Sequence, residues 1–223
     1  MGSRQAKDAL FEGFAAVGKA LANGRRVELL DVLAQGERSV EDLAAEVDQS
    51  VSNTSHHLRT LAVAGLVGSR RSGTRVFYRL ASGDVFDLFA AVRRAAEQHV
   101  AAIERLAGDY LGDRSDLEVV SRAELLERID RGEVTVLDVR PDAEYEAGHI
   151  AGARLLPLER LRQHLRTLSK NDEVVAYCRG QYCVYADEAV RFLRRRGFRA
   201  RRLEDGFPEW KRAGFPVADG TGG

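Results

Sequence analysis

The chain changes its hydrophobic rhythm once, near its middle. In the first half, apolar side chains recur every three or four positions. Leu10, Phe14, Val17 and Leu21 form one stripe, and Val27, Leu30 and Leu33 form another, closed by Gly36. Ser39 stands three residues before Asp42 in a capping-box arrangement and opens a short helix through Leu43, Ala44 and Val47. The polar break Asp48-Gln49-Ser50 leads to a further helix with Val51, Leu58 and Leu61 on its apolar face, ending at Gly65. Two β-type runs, residues 66–70 and 75–80, flank Arg71-Ser72-Gly73-Thr74 and predict a hairpin. Val85, Phe89, Val92, Ala96, Val100 and Ile103 then alternate by three and four, which predicts one long helix.

After the polar, glycine-containing stretch Gly108–Asp116, strands and helices alternate. Strand candidates are residues 119–120, 134–138, 153–155, 174–177 and 200–203, with helical stretches near 121–131, 158–168, 184–196 and 206–213. Such alternation predicts a parallel sheet covered by helices. The expected organisation is a mostly α winged helix-turn-helix domain (α+β) at residues 1–108 and a linker at 109–116. An α/β domain with a parallel five-stranded sheet follows at 117–217, then a disordered tail at 218–223. A chain of 223 residues suits two domains of about 100 each.

Charge narrows the classes of partner. The 34 Lys+Arg offset 34 Asp+Glu, and each half is close to balance, so no global field draws the chain to nucleic acid or membrane. DNA contact must then rest on local distribution. The second helix of the helix-turn-helix follows Ser50, itself a DNA-contact candidate, and carries Ser52, Asn53, Ser55, His56 and Arg59 away from its apolar face. Such groups hydrogen-bond base edges in a major groove. The hairpin holds Arg70, Arg71, Arg75 and Arg79 with no acid from Gly68 to Leu80, which suits phosphate contact. Double-stranded operator DNA is the expected partner. No apolar run approaches the roughly 20 residues of a membrane span, and the N-terminus lacks a secretory pattern, so a cytoplasmic protein without membrane contact is expected. Neither cofactor nor metal site is expected. His99 stands among scattered acids, and the adjacent His56 and His57 diverge around their helix.

The chemistry concentrates in one loop. Cys178 and Cys183 are the only cysteines, set in Cys178-Arg179-Gly180-Gln181-Tyr182-Cys183, between an apolar β-type run and an amphipathic helix. Unpaired N–H groups and a positive helix end lower a thiol's pKa there and cradle anions. Cys178 is the expected nucleophile and the more reactive thiol, Arg179 adds positive charge, and Gly180, Gln181 and Tyr182 form the cradle.

Two resemblances follow from these motifs. Residues 21–30 with Val51-Ser52-Asn53-Thr54-Ser55-His56-His57-Leu58-Arg59-Thr60-Leu61 resemble the ArsR/SmtB family of winged-helix repressors, over roughly residues 8–106. That implies a homodimer joined through its first and last helices, and an inducer that lowers operator affinity. Residues 136–140, residues 144–153, the Cys178 loop and Gly206-Phe207-Pro208-Glu209-Trp210 resemble rhodaneses, over about residues 116–217. That implies a sulfane sulfur carried on Cys178 as a persulfide. The loop departs from the familiar one in having Gly180 third and Cys183 sixth. The basic group that would grip thiosulfate is missing, and a second thiol stands where it could attack a Cys178 persulfide and form a disulfide. Asp138, Arg140, Glu144 and His149 are read as scaffold, and Arg191, Arg194, Arg195, Arg196 and Arg199 as a solvated helix end. Three readings stay open: a repressor that detects a small sulfur donor (persulfide, polysulfide or thiosulfate), a rhodanese-type sulfurtransferase with an accessory DNA-binding domain, and a dithiol sensor of arsenite or a soft metal.

Overall fold

Four helices at the start of the chain begin at a side-chain acceptor. Ser3 precedes α1 (Arg4–Leu21), Asn23 precedes α2 (Gly24–Ala34), Ser39 precedes α3 (Val40–Glu46) and Ser50 precedes α4 (Val51–Val63). Each side-chain oxygen accepts the backbone N–H three residues on, satisfying a donor the helix cannot pair internally. The computed structural model, which describes residues 2–220, divides into two compact units, Met1–Ala96 and Glu97–Gly223.

In the first unit the turn from α3 to α4 runs through Asp48, which is left-handed at φ 49°, and the Gln49 N–H returns to Ala44 O at 2.9 Å. Strands β1 (Arg38–Ser39), β2 (Val67–Ser72) and β3 (Arg75–Leu80) form an antiparallel sheet in the order β1-β3-β2. The β2–β3 hairpin turns at Gly73, whose φ of +59° suits glycine. Leu29, Leu30, Leu43, Leu58, Leu61 and Leu66 make the core. One expectation is corrected here. Val51 is 47% exposed, and the fully buried Thr54 takes its place beside Leu58 and Leu61. On α1, Val17 and Leu21 pack on the core, whereas Leu10, Phe11 and Phe14 lie open.

The long helix expected from the Val85–Ile103 pattern is two helices, α5 (Gly83–His99) and α6 (Ala102–Leu111). Consequently α6 occupies the start of the expected linker at 109–116, and the units part earlier, at Ala96/Glu97. The second unit continues with β4 (Val119–Val120), α7 (Arg122–Asp130), β5 (Val134–Asp138), α8 (Asp142–Ala147), β6 (His149–Ile150), β7 (Arg154–Leu155), α9 (Leu158–Leu161), β8 (Glu173–Tyr177), α10 (Tyr185–Arg195), β9 (Arg199–Leu203), α11 (Phe207–Arg212) and β10 (Val217–Ala218).

The main sheet runs β4-β9-β8-β5-β7 with every neighbouring pair parallel. Its central strand β8 is apolar on both sides, as a covered sheet requires. Val174, Ala176 and Cys178 join the core that includes Ala189, Val190 and Leu193 of α10, while Val175 and Tyr177 join Phe207 and Trp210 on the opposite face. The helix expected at 158–168 shrinks to α9 and a 3₁₀ turn, Leu165–Thr167. The tail expected at 218–223 is corrected at its start: β10, which includes Ala218, pairs antiparallel with β6, and the Gly220 N–H reaches Glu146 O at 2.8 Å. Residues 221–223 lie outside the described residues.

Candidate functional site

The DNA-facing candidates sit on one exposed side of α4. Ser52, Asn53, His56 and Arg59 are exposed and Ser55 is half-buried. Ser50 is the helix cap, Asn53 donates to Gln49 Oε1 at 2.6 Å, and Arg59 Nε donates to Ser55 O at 3.1 Å. His57 turns inward; burial, with Arg26, His56 and Arg25 nearby, holds its pKa below the ordinary histidine value. The hairpin arginines differ from one another. Acids supplied from outside the hairpin engage two of them. Arg70 makes a bidentate pair with Glu37, and Arg75 donates to Ser39 Oγ at 2.6 Å and pairs with Asp42 and Glu41. Arg71 has no ion-pair partner among the described residues.

In the second unit, Cys178 stands immediately after β8, 2% exposed, and is joined to half-buried Cys183 by a disulfide with a Cα–Cα separation of 6.3 Å. The loop folds tightly because the Cys183 N–H donates to Gly180 O at 3.1 Å. Among the described residues the amides of Gly180 and Gln181 find no partner, so donors remain for an anion beside the sulfurs. The start of α11 presses against the loop's inner side. Phe207 N–H donates to Cys178 O at 3.1 Å, and a Cβ on Gly206 would come within 2.3 Å of the Arg179 carbonyl. Only glycine fits there.

Arg179 does not offer its charge to the loop. Its guanidinium forks onto Glu144, which is fully buried, with contacts of 2.6 and 2.9 Å. The role expected of Arg179 is therefore corrected: Glu144, pointing in from α8, neutralises it. Gln181 and Tyr182 both donate to the Glu97 carboxylate, Tyr182 at 2.8 Å.

Beneath the loop, Asp138 and Arg140 form a fully buried pair at 2.6 Å, joined by Tyr177 Oη at 2.5 Å and by Gly148 O. Arg140 also lies over the Phe207 ring, 4.4 Å from its centroid. Burial and Asp138 push the Tyr177 hydroxyl well above the usual tyrosine range. His149 stacks on Tyr145 and bonds its carbonyl through Nδ1. Asp138 and Tyr177 thereby tie together the C-terminal ends of β5 and β8 under the loop.

Two residues escaped sequence reasoning. Asp187, 1% exposed, lies in the first turn of α10 and takes Arg114 Nε at 2.5 Å. Arg114 also donates to Gln181 O at 2.7 Å and Cys183 O at 3.3 Å. An acid flanked by Ala186 and Val190 on a buried helix face was the available signal, since a buried carboxylate demands a cation. The arginine series on α10 is likewise corrected in part. Arg191 and Arg194 reach back to the carbonyls of Asp113 and Asp116, while Arg195 and Arg196 stay exposed.

Taken with the exposed helix and hairpin, this loop defines a winged-helix regulator carrying a rhodanese-like α/β domain. The bacterial regulatory protein arsR family matches residues 23–69, and the rhodanese-like domain family matches residues 121–213. The HTH-type transcriptional regulator Rv0324 of Mycobacterium tuberculosis is 48% identical over 220 residues, covering 99% of this chain and 96% of the relative. The chain belongs to the ArsR-type HTH transcriptional regulators that carry a rhodanese-like domain. Two solved relatives each cover less than half of the chain. The homodimeric winged helix-turn-helix domain of Mb0332 from Mycobacterium bovis is 48% identical, covers 44% of this chain and 92% of that one, and has a TM-score of 0.42. A rhodanese-related protein of Thermoplasma volcanium is 30% identical, covers 45% and 97%, and also has a TM-score of 0.42. Among the described residues no helix is long and apolar enough to cross a membrane.

Proposed function

We propose that this regulator works in the cytoplasm as a homodimeric repressor whose Cys178–Cys183 pair reads reactive sulfur. The observation that carries the reading is the pairing of the two sulfurs at the strand end, with the neighbouring Arg179 already neutralised by Glu144. A thiosulfate-processing site would want that cation free. A site that closes on itself after one encounter does not.

The chemistry is a relay between two thiols. In the reduced protein the Cys178 thiolate attacks the outer sulfur of a small persulfide, forming a new S–S bond as the donor leaves as a thiol. The Cys183 thiolate then attacks Cys178 Sγ and expels hydrosulfide, which takes up the Cys183 proton. The donor is reduced to a thiol plus hydrogen sulfide, and two protein thiols are oxidised to a disulfide. The free amides of Gly180 and Gln181 stabilise the anions on the way. Exposed Leu10, Phe11 and Phe14 on α1 support dimerisation, since a stripe of that size seldom stays wet on a lone subunit.

Operator titration of wild type, Cys178→Ser and Cys183→Ser, before and after polysulfide, tests the reading alongside mass spectrometry of the loop. Wild type is expected to lose about tenfold in affinity, a differential of about 1.4 kcal/mol, and both variants to lose nothing. Wild-type binding that ignores the donor despite modified Cys178 refutes it. Many turnovers per Cys178, with binding unchanged, would mark a sulfurtransferase instead.

A further inference from the structure

We propose that Arg114 is a positioning residue that latches the segment after α6 to the Cys178–Cys183 loop, so that opening or closing the disulfide is read as release or capture of that segment. The inference rests on the sulfur-reading function above and adds the residue through which the state of the loop leaves it.

Three nitrogens of one guanidinium converge on a single neighbourhood. Nε meets the buried Asp187 carboxylate, one terminal nitrogen meets Gln181 O, and the other meets Cys183 O. The two carbonyls belong to the loop that the disulfide closes, so their directions depend on whether the sulfurs are joined. A planar fork tolerates little reorientation of its acceptors, unlike the point charge of a lysine. Asp187 makes the contact costly to lose. Its other oxygen faces Arg202 Nε at 3.4 Å without a hydrogen bond, so the hydrogen-bonded partner of this buried carboxylate is Arg114.

Arg114 itself belongs to no helix or strand. It lies between Gly112, which ends α6 at φ +69°, and Leu117, whose N–H closes a turn onto Arg114 O at 2.9 Å. The same stretch is held by Arg191 at Asp113 O and Asp116 and by Arg194 at Asp116 O and Glu118. Those two arginines sit on the body of α10, away from the loop. Arg114 alone among the three touches the residues between the cysteines.

This contrast supplies the control. Amide hydrogen exchange of residues 112–118 is followed in the full chain, as the disulfide and after a phosphine reductant. In wild type, reduction is expected to speed exchange about tenfold, and Cys183→Ser to resemble the reduced protein without treatment. Arg114→Ala should exchange fast in both states, erasing the redox difference, and Arg114→Lys should restore little of it. Arg191→Ala should exchange faster in both states yet keep the difference. Wild-type exchange that is indifferent to reduction overturns the latch, as does an Arg114→Ala protein that retains the wild-type difference. Should Arg114→Ala not fold, the wild-type, Cys183→Ser and Arg114→Lys comparisons still decide. The readout needs neither DNA nor a sulfur donor, so operator binding that ignores polysulfide would defeat the proposed function while leaving this result standing.

Discussion

The two units place their chemistry in opposite relations to their cores. On α4 the candidate base-reading side chains point outward while Thr54, Leu58 and Leu61 carry the packing from the other side. In the second unit the candidate nucleophile is itself core, 2% exposed and clustered with Ala189 and Val190. A surface site of the first kind can change specificity without touching stability. A site of the second kind cannot be altered without altering the fold around it, which suits a switch whose chemical state must be felt elsewhere.

The sharpest attempt to break this comparison is Arg140→Ala. It leaves the Asp138 carboxylate fully buried without its cation, a loss of about 3–5 kcal/mol. Trp210, the chain's one tryptophan and fully buried in the same unit, reports it by fluorescence during urea unfolding. An unchanged midpoint would mean that the pair under the loop contributes no stability there.

How far the sequence reveals each unit follows from the same contrast. Periodicity located α2, α3, α4 and the hairpin because an amphipathic helix must repeat its apolar face, and it located β5 and β8 because buried parallel strands read as short apolar runs. It merged α5 and α6, since Val100 continues the stripe and no Gly or Pro marks the break at Val100-Ala101. It missed β1, β6 and β10, two-residue strands too short to show any period. The cysteine loop was legible from composition alone. Its partners Arg114, Glu144 and Glu97 were not, because ion pairs and hydrogen bonds between residues distant in sequence leave no local pattern; Arg70 with Glu37 is the same case in the first unit.

Gly206→Ala probes the contact between α11 and the loop. A Cβ there collides with backbone atoms of Arg179 and Gly180, at 2.3 and 2.4 Å, which no side-chain rotation relieves. Overpacking of this kind costs about 1–3 kcal/mol, and the displaced loop should close its disulfide more slowly, as measured by free-thiol titration during reoxidation. Wild-type midpoint and wild-type closure together would show that the loop is not held from this side.

For the exposed site the expectation is the reverse. His56→Ala should relax discrimination at one base position by about 1–3 kcal/mol while leaving the unfolding midpoint where it was. Arg71→Ala should weaken binding to all sequences and lower the salt slope by about one. Arg75→Ala should lower that slope less, because Arg75 is already engaged with Ser39, Asp42 and Glu41. Equal slopes for the two variants would show that these pairs open freely when DNA arrives.

The smallest effect belongs to Asp42, at the start of α3. The Ser39 hydroxyl, at 2.6 Å, does most to hold its carboxyl below the usual aspartate range; partial burial opposes it, and Arg75 reinforces it. A depressed folded-state pKa gives stability that is present above the ordinary aspartate range and lost as pH falls through the lowered value. The group is about half exposed, so solvent screens the pair with Arg75 and the whole contribution is about 0–1 kcal/mol. Asp42→Asn should therefore flatten the acid limb of stability measured between pH 5 and 2, roughly the window over which such a carboxylate takes up its proton, and leave neutral-pH stability within that range. A loss several times larger at neutral pH would make the Ser39–Asp42–Arg75 cluster a core element of the first unit, and the contrast between an exposed and a buried site would no longer hold at the start of α3.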